Sequence, residues 1–110
     1  MSRSLNYSER LCLGTAAYSE DGYGLDQSKN LDEFSDLVSQ LKGIGVRTID
    51  TAIAYAGVHT KAKTNPQTLA DIEIISKVIL DRDDPLASLV KGIDCVISDF
   101  PNNKTSILIH

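Results

Sequence analysis

The sequence has no long apolar run and no apolar stretch at its N-terminus. Its longest apolar runs cover only a few residues, far fewer than the ~20 that a membrane-spanning helix requires. The first ten residues, MSRSLNYSER, do not resemble the apolar segment of a signal peptide. We therefore expect a cytoplasmic protein without a membrane partner.

Cysteine is also scarce and the chain has no excess of positive charge, and each of these features argues against a class of site. Cys12 and Cys95 are the two cysteines of the 110-residue chain, too few and too far apart to indicate a disulfide scaffold or a zinc cluster. Cys12 lies in an apolar strand pattern, which favours a small core residue, and Cys95 lies between apolar helix positions without an evident role. The net charge of −4 offers no basic face to a phosphate backbone. We expect neither a metal nor a nucleic acid as partner.

The composition is that of an ordinary globular domain, and strand-like and helix-like segments alternate along it. With 42% hydrophobic and 24% charged residues, the chain is expected to fold. Four short β-like runs recur about every 30 residues, which is the length of one unit in an eight-fold barrel. They are Leu11–Thr15, Val46–Asp50, Ile72–Val78 and Ser106–His110.

Two strong helical patterns lie between these runs. The first begins with Asn30 and Glu33 at capping-box spacing and continues with apolar positions from Phe34 to Ile44. The second begins at Asp84 and Pro85, a cap followed by a proline in the first turn. Its apolar stripe, which we expect to pack on the sheet, comprises Leu86, Leu89, Val90, Ile93, Val96, Ile97 and Phe100.

The crossover between the second and third runs is weaker. The segment from Ala56 to Leu69 is polar, contains Asn65-Pro66 and has poor helical periodicity, so it predicts a short or broken helix. The whole pattern predicts an α/β fold of parallel β/α units in the order first to fourth, forming the first half of a TIM (β/α)8 barrel. A doubly wound sheet is the alternative, but the segment Gly14 to Tyr18 is not the glycine-rich phosphate turn usual after its first strand.

Chemically competent side chains follow three of the predicted strands at the end where barrel active sites assemble. Asp50 ends the second strand and Tyr55 lies just beyond it, Lys77 lies near the end of the third, and His110 ends the fourth. Reduction of a carbonyl by hydride transfer leaves an alkoxide that a phenol can protonate. A nearby ammonium makes the phenol release its proton more readily, and a carboxylate keeps that ammonium charged.

These side chains therefore predict a set of catalytic roles. Tyr55 would be the general acid, Lys77 its activator, Asp50 the partner of Lys77, and His110 the group that orients the carbonyl oxygen. Each residue alone also has an ordinary interpretation as a cap, a packing residue or a solvated charge. His59 lies in a polar segment without an obvious partner and is assigned no role.

The segment from Gly45 to Tyr55, with its Asp-Thr-Ala followed by two residues and a tyrosine, resembles the signature of the aldo/keto reductases. Three further segments resemble that family in order: the first strand and turn at 13–16, the third strand with its lysine at 74–78, and the fourth strand with its histidine at 107–110. The resemblance implies that residues 1–110 are part of an NADP-dependent barrel domain, truncated after its fourth strand. It also implies that Asp50, Tyr55, Lys77 and His110 form the family's catalytic tetrad.

The resemblance further implies a bound NADPH and a small aldehyde or ketone as substrate. Thr15, Ala16 and Asp50 would contact the nicotinamide end of the cofactor, while most other contacts would come from later barrel units. The sequence departs from the family after the tyrosine, where Ala56-Gly57 stands in place of an immediate glycine. The alternative function is a truncated, catalytically inactive half-barrel acting as an interaction or regulatory module. Self-association through open sheet edges is expected of the isolated chain.

Overall fold

The computed structural model describes residues 10–16 and 31–110, and over these the chain is an α/β fold. Four strands alternate with three α-helices: β1 (Leu13–Gly14), α1 (Leu31–Gly43), β2 (Thr48–Ala52), α2 (Gly57–Thr64), β3 (Glu73–Val78), α3 (Pro85–Asp99) and β4 (Thr105–Ile109). Short 3-10 helices span Ile53–Tyr55 and Pro66–Leu69. The predicted cap at Asn30 lies outside the described residues.

The strands form one four-stranded parallel sheet in the order β1-β2-β3-β4, which confirms the predicted pairing. The register sets Ile49 beside Ile74 and Ala52 beside Lys77 in the β2–β3 pair. Lys77 in turn lies beside Leu108 in the β3–β4 pair. Since all four strands run the same way, their carboxyl ends lie along one edge of the sheet.

The three helices supply one hydrophobic core with alternate residues of the central strands. Its buried members from α1, α2 and α3 include Phe34, Val58 and Val96, which pack with Ile49 of β2 and Ile74 of β3. Successive side chains of a strand point to opposite faces, so this face of the sheet is covered by helices. The other face, which carries Asp50 and Lys77, is only partly buried.

The local start and stop signals explain most of the boundaries. In α3 the Asp84 carboxylate accepts a hydrogen bond from the Ala87 N–H at 3.3 Å, with Pro85 in the first turn, as the sequence predicts. The weak crossover is a helix of eight residues followed by a 3-10 turn that begins at Pro66, which confirms the expected broken helix. In the second strand the prediction is shifted by two residues, because β2 runs from Thr48 to Ala52 instead of ending at Asp50.

Two expectations about burial are wrong. The apolar stripe of α3 packs on the sheet only in part, since Leu86, Val90 and Ile97 are 72%, 50% and 56% exposed. An apolar stripe wider than one contact face leaves part of itself uncovered when a single sheet lies beneath it. Cys12 is exposed and is not a core residue, because its position in the β1 segment points to the open face.

Within residues 10–16 and 31–110, no helix has both the length and the apolar character needed to cross a membrane.

Candidate functional site

The candidate site centres on the ammonium group of Lys77, near the carboxyl end of β3. The Lys77 Nζ atom donates a short hydrogen bond to Asp50 Oδ1 and lies 3.4 Å from the Tyr55 hydroxyl oxygen. It also lies 5.4 Å from the centre of the Tyr55 ring, within the range of a cation–π contact. The predicted convergence of Asp50, Tyr55 and Lys77 is confirmed.

The parallel register explains why Asp50 and Lys77 meet. Ala52 is the direct neighbour of Lys77, so Asp50 is its diagonal neighbour two residues earlier on β2. Both side chains are on the open face of the sheet, where side chains of alternate residues are within reach of one another. The side chain of Lys77 is 24% exposed and that of Asp50 is 32% exposed, so both are partly desolvated and still accessible to a small molecule.

A tight turn after β2 brings Tyr55 back over the sheet edge. Ile53–Tyr55 form one turn of 3-10 helix, and the Ala56 N–H closes it by donating to the Ile53 carbonyl at 3.1 Å. Ala56 has φ 65° and ψ −39°, a conformation that favours glycine because a Cβ is crowded there. The unusual Ala56 therefore keeps the turn with some backbone strain, and Tyr55 stays beside Lys77.

The electrostatics of the site keep Lys77 charged. The hydrogen bond to the Asp50 carboxylate raises the pKa of the Lys77 ammonium above its usual value, partial burial opposes this, and Tyr55 adds to the increase. The arrangement is thus a charged ammonium between a carboxylate and a phenol. It can hold a phenolic oxygen in place and can stabilise negative charge on that oxygen.

His110 shares the edge and face of this site without touching it. Its N–H donates to the Val78 carbonyl at 2.9 Å, which continues the β3–β4 ladder beyond Ile109. Strand alternation sets His110 on the face of Leu108 and Lys77. Its ring is exposed and makes no hydrogen bond or ion pair with any residue that the structure describes. The structure brings together three of the four predicted residues and leaves His110 at their edge.

The two remaining predicted cofactor residues differ in accessibility. Thr15 is 1% exposed, and its hydroxyl donates to the Asp50 carbonyl at 2.9 Å while its N–H donates to the same oxygen at 3.1 Å. Its side chain therefore holds β1 against β2. Ala16 is partly exposed, so a ligand at this edge would meet Ala16 and the Asp50 carboxylate before Thr15.

The structure contradicts the sequence interpretation of His59. His59 is a buried residue of α2, 4% exposed, with its Nδ1 atom 2.6 Å from Asp99 Oδ2 and its Nε2 atom 3.0 Å from Ser76 Oγ. Burial lowers the pKa of His59, and the hydrogen bond and charge of Asp99 oppose this only in part. The lowered pKa favours the neutral imidazole at neutral pH, and with its proton on Nδ1 the ring can donate to Asp99 and accept at Nε2 from Ser76.

Cys95, which has no evident role in the sequence pattern, belongs to the same cluster as His59 and Asp99. Its Sγ atom lies 3.6 Å from Asp99 Oδ2, and burial together with Asp99 raises the pKa of the thiol. Four polar side chains thus meet on the helix-covered face of the sheet: His59 from α2, Ser76 from β3, and Cys95 and Asp99 from α3. One signal in the sequence pointed there, since Cys95 and Asp99 are four residues apart beside the buried Val96 and Phe100.

No protein-family model, curated protein or solved structure matches the chain.

Proposed function

We propose that the chain is the N-terminal part of an NAD(P)H-dependent carbonyl reductase of the aldo/keto reductase type, with Tyr55 as general acid. The observation that carries the proposal is the position of the Lys77 ammonium between the Asp50 carboxylate and the Tyr55 hydroxyl. A parallel sheet with its chemistry at the carboxyl edge also suits half of a TIM (β/α)8 barrel.

The contacts of Asp50, Tyr55 and Lys77, and the position of His110 beside them, support the following roles. Tyr55 would donate its hydroxyl proton to the carbonyl oxygen of an aldehyde or ketone as that oxygen gains negative charge. Lys77 would stabilise the phenolate that remains, and Asp50 would keep the Lys77 ammonium charged and in position. His110, which lies along the same edge, would approach the carbonyl oxygen and orient it.

The nicotinamide cofactor would supply the hydride when bound. The described residues suit its nicotinamide end. The charge of Lys77 is already balanced by Asp50, so this part of the open face is polar and offers no free positive charge. Such a surface suits an uncharged carboxamide and ring better than phosphate groups. Ala16 and Asp50 would bind that end, and the diphosphate would depend on residues outside the described sheet.

The test uses the protein translated from the gene that encodes this chain, with whatever barrel units follow His110 in the reading frame. Reduction of a panel of aldehydes and ketones is followed by the loss of the reduced cofactor's near-ultraviolet absorbance. Tyr55→Phe should lower kcat by about 100-fold or more, as expected for loss of a general acid, and should leave cofactor binding unchanged.

Two results count against the proposal. One is a Tyr55→Phe enzyme with normal kcat, because the proton would then come from another group. The other is a reading frame that closes at His110 together with a chain that does not bind the reduced cofactor.

A second candidate function is an interaction module without catalysis. The exposed apolar side chains of α3 (Leu86, Val90 and Ile97) and of the open strand β4 (Leu108 and Ile109) favour it, since such surfaces commonly mark protein contacts. Sedimentation velocity at several concentrations would detect self-association of the 110-residue chain. A monomer at all concentrations would argue against this candidate.

A further inference from the structure

The cluster under the sheet has the composition of a metal site, although no metal was expected from the sequence. Nδ1 of His59, Sγ of Cys95 and a carboxylate oxygen of Asp99 lie within 4.8 Å of one another. Imidazole nitrogen, thiolate sulfur and carboxylate oxygen are the three protein ligand types that Zn²⁺ takes in tetrahedral sites.

We propose that His59, Cys95 and Asp99 bind a divalent zinc-type cation, with a water molecule or small solute as fourth ligand. This site is on the helix side of the sheet, and its existence does not depend on the proposed reductase activity.

Two of the three ligand separations are close to those of a loaded site, and the third, between His59 Nδ1 and Cys95 Sγ, is within 4.8 Å and would close by up to about 1.3 Å. With Zn–N and Zn–O distances near 2.0 Å and Zn–S near 2.3 Å, tetrahedral ligand atoms lie about 3.3–3.7 Å apart. The Cys95 Sγ to Asp99 Oδ2 distance of 3.6 Å already meets this value. The His59 Nδ1 to Asp99 Oδ2 distance of 2.6 Å must open by less than about 1 Å, which a rotation of the carboxylate can supply.

The hydrogen bonds of the cluster supply the protons that a cation would replace. The Asp99 Oδ2 atom now accepts from both the His59 Nδ1–H and the Cys95 thiol. On metal binding the thiol proton leaves to solvent, and the imidazole carries its proton on Nε2 instead of Nδ1. Nε2–H then donates to Ser76 Oγ, 3.0 Å away. A ligating histidine held by such a second hydrogen bond is the usual arrangement around zinc.

Access and field also suit a cation. Asp99 borders a cavity of about 440 Å³, and Cys95 borders a second cavity of about 360 Å³, so two of the three ligand residues adjoin space that an ion could enter. Cys95 and Asp99 lie in the last two turns of α3, where the helix dipole favours positive charge. Among the described residues, the Lys63 ammonium, 3.4 Å from Asp99 Oδ1 and 65% exposed, opposes a cation, as does the charge of Lys91 near Cys95.

The experiment titrates the 110-residue chain with Zn²⁺ by calorimetry and with Co²⁺ by absorbance. We expect one ion per chain, and a thiolate-to-cobalt charge-transfer band together with the strong visible bands of tetrahedral cobalt. Cys95→Ser should abolish the charge-transfer band and weaken zinc binding at least 10-fold. Ser76→Ala should weaken it about 10- to 100-fold, and Lys63→Gln should bind at least as tightly as the original chain.

Cys12→Ser is the matched control, because Cys12 is the other thiol of the chain and is outside the cluster. It should keep the full cobalt spectrum. A measurement without mutation covers the case in which a cluster variant does not fold: zinc should slow alkylation of Cys95 and leave that of Cys12 unchanged. The proposal is overturned if the chain shows no saturable zinc binding, if Cys95→Ser keeps the charge-transfer band, or if zinc leaves Cys95 alkylation unchanged.

Discussion

The contact between α3 and β3 leads to a quantitative prediction for Gly92→Ala. Gly92 is buried in the middle of α3, and a Cβ added there would lie 2.9 Å from Val78 Cγ2 and 3.2 Å from Val78 Cβ, with Val78 Cγ1 closer still. Rotation of Val78 can move its methyl groups but cannot move its Cβ. The substitution therefore forces α3 away from the sheet.

Two opposing effects set the size of the change. Alanine is favoured over glycine in a helix by about 1 kcal/mol, while overpacking a core contact costs about 1–3 kcal/mol. Because both methyl groups and the Cβ of Val78 are crowded, we expect the upper part of that range and a net loss of about 1–2 kcal/mol in the free energy of unfolding. In a Val78→Ala background both methyl contacts are gone and only the 3.2 Å contact with the Cβ of residue 78 remains. A small shift of α3 relieves that contact, so Gly92→Ala should be close to neutral there, because the remaining crowding offsets the roughly 1 kcal/mol helix preference for alanine.

Urea unfolding followed by circular dichroism measures the four chains of this double-mutant cycle. The matched control is the pair Asp94→Ala and Asp94→Gly at an exposed position of the same helix, where alanine should be the more stable by about 1 kcal/mol. If Gly92→Ala in the original background stabilises the chain as alanine does at position 94, the close packing of α3 on β3 is wrong.

Two further predictions concern single residues. Ala56→Gly should raise the free energy of unfolding by about 1 kcal/mol, because it relieves a residue held at φ 65° at a smaller cost in chain entropy; an unchanged or lower urea midpoint would contradict this. His59 should make the chain less stable in mild acid. Since burial lowers its pKa from the ordinary 6.5, the unfolded chain takes up the proton first. Stability is then fully present above pH 6.5 and falls as the pH drops toward the folded-state pKa, by at most about 1.4 kcal/mol per pH unit. As the pH falls through this range, the urea midpoint should decline less steeply for His59→Gln than for the original chain. Equal pH dependence of the two midpoints would refute the role of His59 in the loss of stability.

The part of the fold that sequence predicts is the part that depends on local pattern. Alternating strands and helices of barrel-unit length indicate parallel pairing, and parallel pairing alone brings the ends of β2 and β3 to one edge. The contact of Asp50 with Lys77 therefore follows from two strand ends and one register. Tyr55 was less secure because its position depends on the turn at Ala56, and the structure keeps that turn despite the missing glycine.

What the sequence could not predict depends on contacts between distant segments. His59 contacts Ser76, which is 17 residues away in the sequence, and Asp99, which is 40 residues away. No spacing rule links such distant positions. Because α2 is mostly polar, its sequence does not indicate that Val58 and His59 are buried. The stripe of α3 was correctly assigned to a helix, but periodicity does not say how much of a stripe the neighbouring sheet can cover.

Strand β3 contributes one residue to each polar cluster, and its alternation sets the two clusters on opposite faces of the sheet. Ser76 is fully buried on the helix-covered face, where it contacts His59. Lys77, the next residue, is on the open face, where it contacts Asp50. A slip of one residue in the register of β3 would exchange these faces, burying the ammonium and exposing the serine. The hydrogen bond from Ser76 to His59 therefore supports the correct register of β3, and it keeps Lys77 on the face where it meets Asp50 and Tyr55. Because both clusters depend on one strand register, neither can form fully if β3 pairs incorrectly.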